Sequence, residues 1–277
     1  MPELPEAETI VRGLRTTVVG KQIVRAEVVR PDILRQPRRR FVTRLKNRRI
    51  AGIGRRGKNV VLELDASLFL AVNLGMTGKL LPFPTLPRGH ARPSHPAIRF
   101  RFTDGGVLVF DDTRRFGTVE ALTADEWSER SSRMGPEPLD PGFSADDLFS
   151  GLQRSRSPAR SWLLDQRRIA GVGNIYASEA LHLAGVRPST PANRITAAQA
   201  EKLHRGVQHV LTQAISAGGT TIRDYTNTDG DRGEFSSQLL VYGREGRPCH
   251  ACGTDVVRTV ISNRSAFHCP QCQPAAS

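Results

Sequence analysis

All four cysteines of the chain fall between positions 249 and 272, as Cys249-x2-Cys252, sixteen intervening residues, then Cys269-x2-Cys272. Two such pairs bring four thiolates within tetrahedral reach of one ion. A shell of four cysteines leaves no open coordination position, so the pattern predicts one structural zinc ion. Paired disulfides are the competing reading. They are disfavoured in an intracellular chain whose cysteines occur only as Cys-x2-Cys, and a redox motif needs one pair rather than two. Between the pairs, Val256-Val257 and Thr259-Val260-Ile261 read as the first arm of a β-hairpin with Asn263-Arg264-Ser265 at its tip. So small a hairpin cannot fold on apolar burial alone, and metal binding supplies its folding free energy.

The rest of the chain has no cysteine to crosslink it. At 277 residues it is too long for one ordinary core, which suggests two domains and an appendage. Its 40 Lys+Arg against 27 Asp+Glu give a net charge of +13 and point to a polyanionic partner. A membrane surface is the weaker candidate, because the longest apolar run, at 68–72, is far short of the roughly 20 residues a spanning helix needs. The acidic start lacks the basic and apolar regions of a secretory signal, so an intracellular location is expected. Nucleic acid is the expected partner.

After Pro5, the apolar positions Ala7, Ile10, Val11, Leu14 and Val18 follow helical spacing up to Gly20. Strands are predicted at 23–29, 59–64, 68–74, 97–102, 107–110 and 118–122, with Asp104-Gly105-Gly106 as a hairpin turn. One helix with many short antiparallel strands predicts a β-sandwich with the N-terminus laid against it. The Pro- and Gly-rich run at 134–142 reads as a linker. Helical patterns follow at 145–152, 158–164, 175–184 and 197–217, then a polar loop at 220–235. The fold class expected is therefore α+β multidomain: an N-terminal β-sandwich domain at 1–133, the linker at 134–142, a helical domain at 143–235, and a zinc finger at 236–277.

The opening residues Met1-Pro2-Glu3-Leu4-Pro5-Glu6 suggest chemistry. With Met1 removed, the chain would begin with a secondary amine. An α-amino group titrates near ~7.7–8.0, against ~10.4 for lysine, so it is a competent nucleophile at neutral pH. Such an amine forms an iminium with a sugar aldehyde, and this iminium cannot be neutralised by losing a proton from nitrogen. Glu3 beside it and Glu6 one turn on are acids in an otherwise basic chain. Complementing the positive end of a helix dipole is the other reading of both, and for Glu6 it weighs equally.

Pro2-Glu3-Leu4-Pro5-Glu6, Gly171-Val172-Gly173-Asn174-Ile175-Tyr176-Ala177 and the four-cysteine finger occur together in this order. With all three, the chain resembles the bacterial formamidopyrimidine-DNA glycosylase family over nearly its whole length. The resemblance implies a β-sandwich, a helix-two-turn-helix domain with a lesion-capping loop, and a zinc finger. It also implies base-excision repair: oxidised purines are removed from duplex DNA and the strand is cut at the abasic site, by a monomer acting in the cytoplasm.

The resemblance further implies roles. Pro2 would attack the anomeric carbon, with Glu3 as proton shuttle and Glu6 beside it. Lys58 would bind phosphate next to the lesion. Asn174, on a glycine turn entering a helix, would hold phosphate, with Arg264 and Tyr242 assisting from the finger side. Met76, Arg114 and Phe116 would fill the gap left by the extruded nucleotide. The segment 220–225, including Arg223 and Tyr225, would cap the flipped base. Two positions depart from the family pattern. Asn73 replaces a histidine common among relatives, and can donate to phosphate without carrying charge. Arg160 replaces a lysine that influences lesion choice, and presents a planar fork instead of a point charge. A near neighbour is an endonuclease-VIII-like enzyme with the same chemistry on oxidised pyrimidines; a non-catalytic damaged-DNA binder and a zinc-finger regulator are alternatives of a different class. Leu4 and the Met76/Arg114/Phe116 set favour the purine branch.

Overall fold

The structure is a computed structural model. It describes residues 2–275 apart from Arg88, His90, Ala91, Arg223, Asp224 and Asp229. Contacts divide the chain into two units, 1–133 with 217–234, and 134–216 with 235–277.

In the first unit, helix α1 (Leu4–Val18) buries Leu4, Ala7, Ile10, Val11, Leu14 and Val18, the stripe that its apolar spacing predicts. Pro5 sits in its first turn, where a missing N–H costs little. Eight antiparallel strands follow: β1 (Gln22–Val28), β2 (Arg48–Arg56), β3 (Asn59–Leu64), β4 (Leu68–Asn73), β5 (Gly78–Phe83), β6 (Pro96–Phe102), β7 (Val107–Asp112) and β8 (Thr118–Thr123). Their order is β5-β7-β6-β1-β2-β3-β4-β8. Two four-stranded halves meet at a narrow seam where only Gln22↔Arg49 and Ile23↔Arg48 pair β1 with β2. Both halves send side chains, among them Ile23, Phe100, Phe110, Leu62 and Leu70, into one core cluster with α1. The expected sandwich is thus built from one continuous sheet. Between β6 and β7, Gly105 takes φ +85° and the Asp104 carboxylate accepts the Gly106 N–H at 2.9 Å, as a tight turn requires.

Four elements go beyond the sequence expectation. Strand β2 is Arg- and Gly-rich and has weak strand propensity of its own, but pairs along β3. Strand β5 pairs with β7 throughout its length. Helix α2 (Arg38–Leu45) buries only Phe41 and Leu45, too few apolar positions to reveal a period. Helix α3 (Ala124–Ser132) opens with a Thr123/Glu126 capping box and has no buried residue at all.

The second unit contains α4 (Ala145–Gln153), α5 (Ala159–Leu164), α6 (Asn174–Leu183) and α7 (Ala197–Ser216), then the hairpin β9 (Val257–Ile261) and β10 (Arg264–His268). The run at 134–142 is not a free tether. The Gly135 N–H donates to Gln166 O at 2.8 Å, and a Cβ on Gly135 would lie 2.4 Å from the Arg168 carbonyl carbon. The described residues of 217–234, expected with the helical domain, instead pack in the first unit. At the neck of this segment Glu234 N–H donates to Ala217 O at 2.9 Å and Thr220 bridges Glu234.

Candidate active site and nucleic-acid interface

Pro2 is buried immediately before α1, and Glu3, 1 % exposed, is the residue that begins the helix. Glu6 accepts the Glu3 N–H through Oε2 at 2.7 Å and the Thr220 N–H through Oε1 at 2.8 Å. Its carboxylate therefore ties the first turn of α1 to the neck of the 217–234 loop. Tyr225 from that loop lies in the first unit's core, its hydroxyl donating to Gly218 O at 3.2 Å. Burial, and then the Glu6 charge, raise its pKa above the usual tyrosine value, so it remains a neutral donor. Tyr225 anchors the loop from inside. Arg223 lies outside the described residues.

Lys58 occupies the two-residue turn between β2 and β3, where Gly57 takes φ +56°. Arg55, at the end of β2, donates to Glu8 of α1 at 3.2 Å and to Gly57 O at 3.0 Å, fixing that turn against the helix. Register then aligns the other elements. Asn59 pairs with Asn73, and Asn73 with Thr118, so the Lys58 turn, the 74–77 loop and the 113–117 loop share one end of the sheet. Asn73 does not point its amide freely outward. Its Nδ2 donates to Asn59 Oδ1 at 3.3 Å while its Oδ1 accepts the Gly75 N–H at 3.1 Å. Phe116 is 56 % exposed, and the Arg114 guanidinium carbon lies 4.7 Å from its ring centroid. Met76 is half-buried on the neighbouring loop. Close by, a cavity of about 500 Å³ is lined by Thr77, Lys79, His95, Asp111, Tyr225 and Arg232.

In the second unit, Gly173 caps α6 and Asn174 is its first residue. Arg160, expected at the DNA surface, is instead 0 % exposed. Its guanidinium donates to Asn174 Oδ1 at 2.6 and 3.1 Å, to Ile261 O at 3.1 Å and to Ser265 O at 2.8 Å. Asn174 Nδ2 donates to Ser265 O at 3.1 Å. Arg160 is an internal staple that holds Asn174 and both arms of the finger hairpin. The tip is also displaced by one position from expectation: Ser262 and Asn263, with φ +48° and +58°, form the turn, and exposed Arg264 opens β10 opposite Ile261. Tyr242 packs edge-on against Phe267 at 5.1 Å.

The four cysteine sulfurs lie within 4.8 Å of one another, with Cys249–Cys272 at 4.0 Å and Cys252–Cys269 at 3.4 Å. A tetrahedral zinc shell with bonds of about 2.3 Å has sulfur–sulfur edges of about 3.8 Å, so the cradle fits that ion. Burial and the three neighbouring sulfurs push the Cys272 thiol up to about 12, a crowding that a dication would relieve.

The family matches agree with this geometry. Residues 1–119 match the formamidopyrimidine-DNA glycosylase N-terminal domain, and residues 134–226 match the formamidopyrimidine-DNA glycosylase H2TH domain. The chain is 40 % identical to the formamidopyrimidine-DNA glycosylase of Rhizorhabdus wittichii, covering 99 % of this chain and 100 % of the relative. It belongs to the formamidopyrimidine-DNA glycosylase family. Among solved structures, a Lactococcus lactis Fpg variant in complex with Fapy-dG containing DNA superposes with a TM-score of 0.92 at 32 % identity, covering 99 % of this chain and 100 % of that one. The MutM (Fpg) protein of Thermus thermophilus gives 0.88 at 38 % identity over the full length of both chains.

Among the described residues, the buried polar groups that the sequence did not reveal include three that order the finger or the loops. Glu179 accepts the N–H groups of Leu240, Val241 and Tyr242 at 2.7, 3.0 and 2.8 Å, and burial raises its carboxyl pKa against those bonds. Gln273 donates to Val186 O at 2.7 Å and accepts the Cys269 N–H at 3.0 Å. Asp112 organises the two loops that carry Met76, Arg114 and Phe116. For Glu179 a signal was present, since it is the lone acid of α6 and is flanked by Ala177, Ala180 and Leu181.

Proposed function

We propose that the chain is a bifunctional DNA glycosylase and abasic-site lyase that removes oxidised purines from duplex DNA. The single observation carrying this reading is the buried Pro2-Glu3 pair at the head of α1, inside the part of the chain that matches the family's N-terminal domain. With Met1 removed, the Pro2 nitrogen attacks the anomeric carbon, the bond to the base breaks, and the base leaves with the electron pair. Glu3 moves protons at the sugar ring oxygen and later at the Schiff base. The resulting iminium acidifies the adjacent sugar proton, and successive β- and δ-elimination expel the 3′ and 5′ phosphates. Glu6 acts as a positioning group in this scheme, since its oxygens hold the amides of Glu3 and Thr220.

Lys58, Asn174 and Arg264 bind backbone phosphates, and Tyr242 supports the finger beside them. Met76, Arg114 and Phe116 occupy the gap opened by base flipping, which costs a few kcal/mol of stacking. The cavity beside Thr77 and Tyr225 is within the roughly 300–1,000 Å³ range of small-ligand pockets and can receive the extruded base. Zinc at Cys249, Cys252, Cys269 and Cys272 stiffens the finger and takes no part in the chemistry. The protein works in the cytoplasm, on the chromosome.

Borohydride trapping tests the reading, using duplexes that carry 8-oxoguanine, thymine glycol or an abasic site, with peptide mapping of any adduct. An adduct at Pro2 on the 8-oxoguanine duplex is expected. Trapping only on thymine glycol would move the protein to the pyrimidine branch, and no adduct on any duplex would leave a DNA-binding scaffold.

A further inference from the structure

Asp112 ends β7 and is 1 % exposed, yet its carboxylate touches both loops at the sheet end. Oδ1 accepts the Thr77 hydroxyl at 2.5 Å and the Arg114 N–H at 3.3 Å, and Oδ2 accepts the Gly117 N–H at 2.8 Å. The Thr77 hydroxyl oxygen in turn accepts the Arg114 N–H at 3.0 Å. One buried charge thus binds the residue after Met76 and the two amides flanking Arg115 and Phe116. Arg115 sits between those amides at φ +56°, a left-handed conformation that a non-glycine residue holds only when its surroundings impose it. The two loops also touch directly. Gly75, at φ +62°, lies so near the second loop that a Cβ there would be 2.5 Å from Gly117 N and Phe116 C.

We propose that Asp112, acting through Thr77, is a positioning residue for base extrusion that locks Met76, Arg114 and Phe116 into one preformed wedge. This rests on the reading of those three residues as gap-filling groups. Exposed and half-buried side chains on two separate loops would otherwise have to be ordered at the moment the duplex opens, and ordering them is an entropic cost added to the unstacking. A buried carboxylate that accepts one hydroxyl and two amides settles that geometry before DNA arrives. The role concerns extrusion and not bond breaking. An abasic nucleotide has no base to unstack, so it needs the wedge least.

The test compares single-turnover base release from an 8-oxoguanine duplex with strand cleavage on the same duplex carrying a preformed abasic site, using the zinc-loaded full chain. Asp112→Asn puts an amide donor against the Gly117 N–H or the Thr77 hydroxyl. It is expected to slow base release about tenfold or more, and abasic cleavage less than about threefold. Thr77→Val removes only the hydroxyl and is expected to shift the same ratio in the same direction, while Thr77→Ser restores it. The valine/serine pair decides the matter if Asp112→Asn fails to fold. Equal losses on both substrates, or an unchanged ratio in folded Thr77→Val, would overturn the proposal. Phe116→Ala separates the two levels of inference. If it also leaves the ratio unchanged, the wedge reading has failed; if it shifts the ratio and the Asp112 and Thr77 variants do not, only the positioning role has failed.

Discussion

Glu6 and Thr220 stand 214 residues apart in the chain, yet the Glu6 carboxylate accepts the Thr220 N–H at 2.8 Å. The helix that Pro2 immediately precedes and the loop expected to cover a flipped base are therefore held by one buried acid. Glu6→Gln keeps the shape, but its amide group must face one of the two N–H donors that Glu6 now accepts. An unsatisfied buried donor costs about 1–3 kcal/mol. The variant is expected to melt at a lower temperature, to be cut faster by protease within 217–234, and to release base more slowly. Unchanged protease sensitivity would show that Glu6 does not hold the loop.

Gly13 makes a second seat for the same loop on α1. A Cβ at this position would lie 2.1 Å from the Thr228 hydroxyl oxygen. Alanine in a helix interior gains about 1 kcal/mol over glycine, so Gly13→Ala should leave overall stability nearly unchanged. The loop should nevertheless be displaced, raising protease sensitivity within 217–234. Adding Thr228→Ala removes the clash and should restore wild-type resistance, a non-additivity that marks direct contact.

How much of this was readable beforehand depended on whether the signal was local. Periodicity identified α1 because its buried positions recur at helical spacing, and the cysteine spacing identified the metal cradle. Strand β2 was hidden because its arginines and glycines take their conformation from pairing with β3. Arg160 shows a different limit. The family resemblance set it among the DNA-binding residues, and only the fold reveals that it donates four hydrogen bonds, to one side chain and two distant carbonyls. Asp112 and Gln273 carried no periodic or compositional mark, because their partners come from chain positions that only folding brings together.

The Glu126 carboxylate, one-third exposed, is held down to about 2, first by the Arg44 guanidinium and then by the Thr123 N–H. A depressed acid stabilises the fold above its ordinary value of 4.5, and that contribution disappears as pH falls towards 2. Glu126→Gln should therefore lower stability at pH 7 by roughly 0.5–1 kcal/mol after solvent screening. The difference from wild type should close between about pH 4.5 and 2, as read by chemical denaturation across that range. A constant difference would mean that Glu126 contributes packing and not charge.

Zinc removal should unfold the hairpin Val257–Ile261 and Arg264–His268, because the small cluster of Val241, Val256 and the cysteines cannot hold it alone. A chelator is expected to release one zinc ion per chain and to weaken binding to abasic duplex while the first unit keeps its own melting transition. Full DNA affinity after complete metal loss would remove the finger from the interface.

Arg160 supplies the sharpest contrast between a surface contact and an internal staple. Arg160→Met takes the guanidinium donors from the Ile261 carbonyl and the Asn174 side-chain oxygen and leaves the Ser265 carbonyl with Asn174 Nδ2 alone, at about 1–3 kcal/mol. Amide exchange across the finger hairpin should then speed up about tenfold or more in the free protein, since local opening has become easier. Arg264→Ala, which alters an exposed residue, should leave that exchange unchanged while weakening DNA binding and flattening its salt dependence by about one phosphate. Arg160→Lys keeps the charge but cannot span all three acceptor groups, so its exchange should fall between those of Arg160→Met and wild type. If Arg160→Met left hairpin exchange at the wild-type rate and reduced only DNA affinity, the residue would act at the interface after all, and the staple would be refuted.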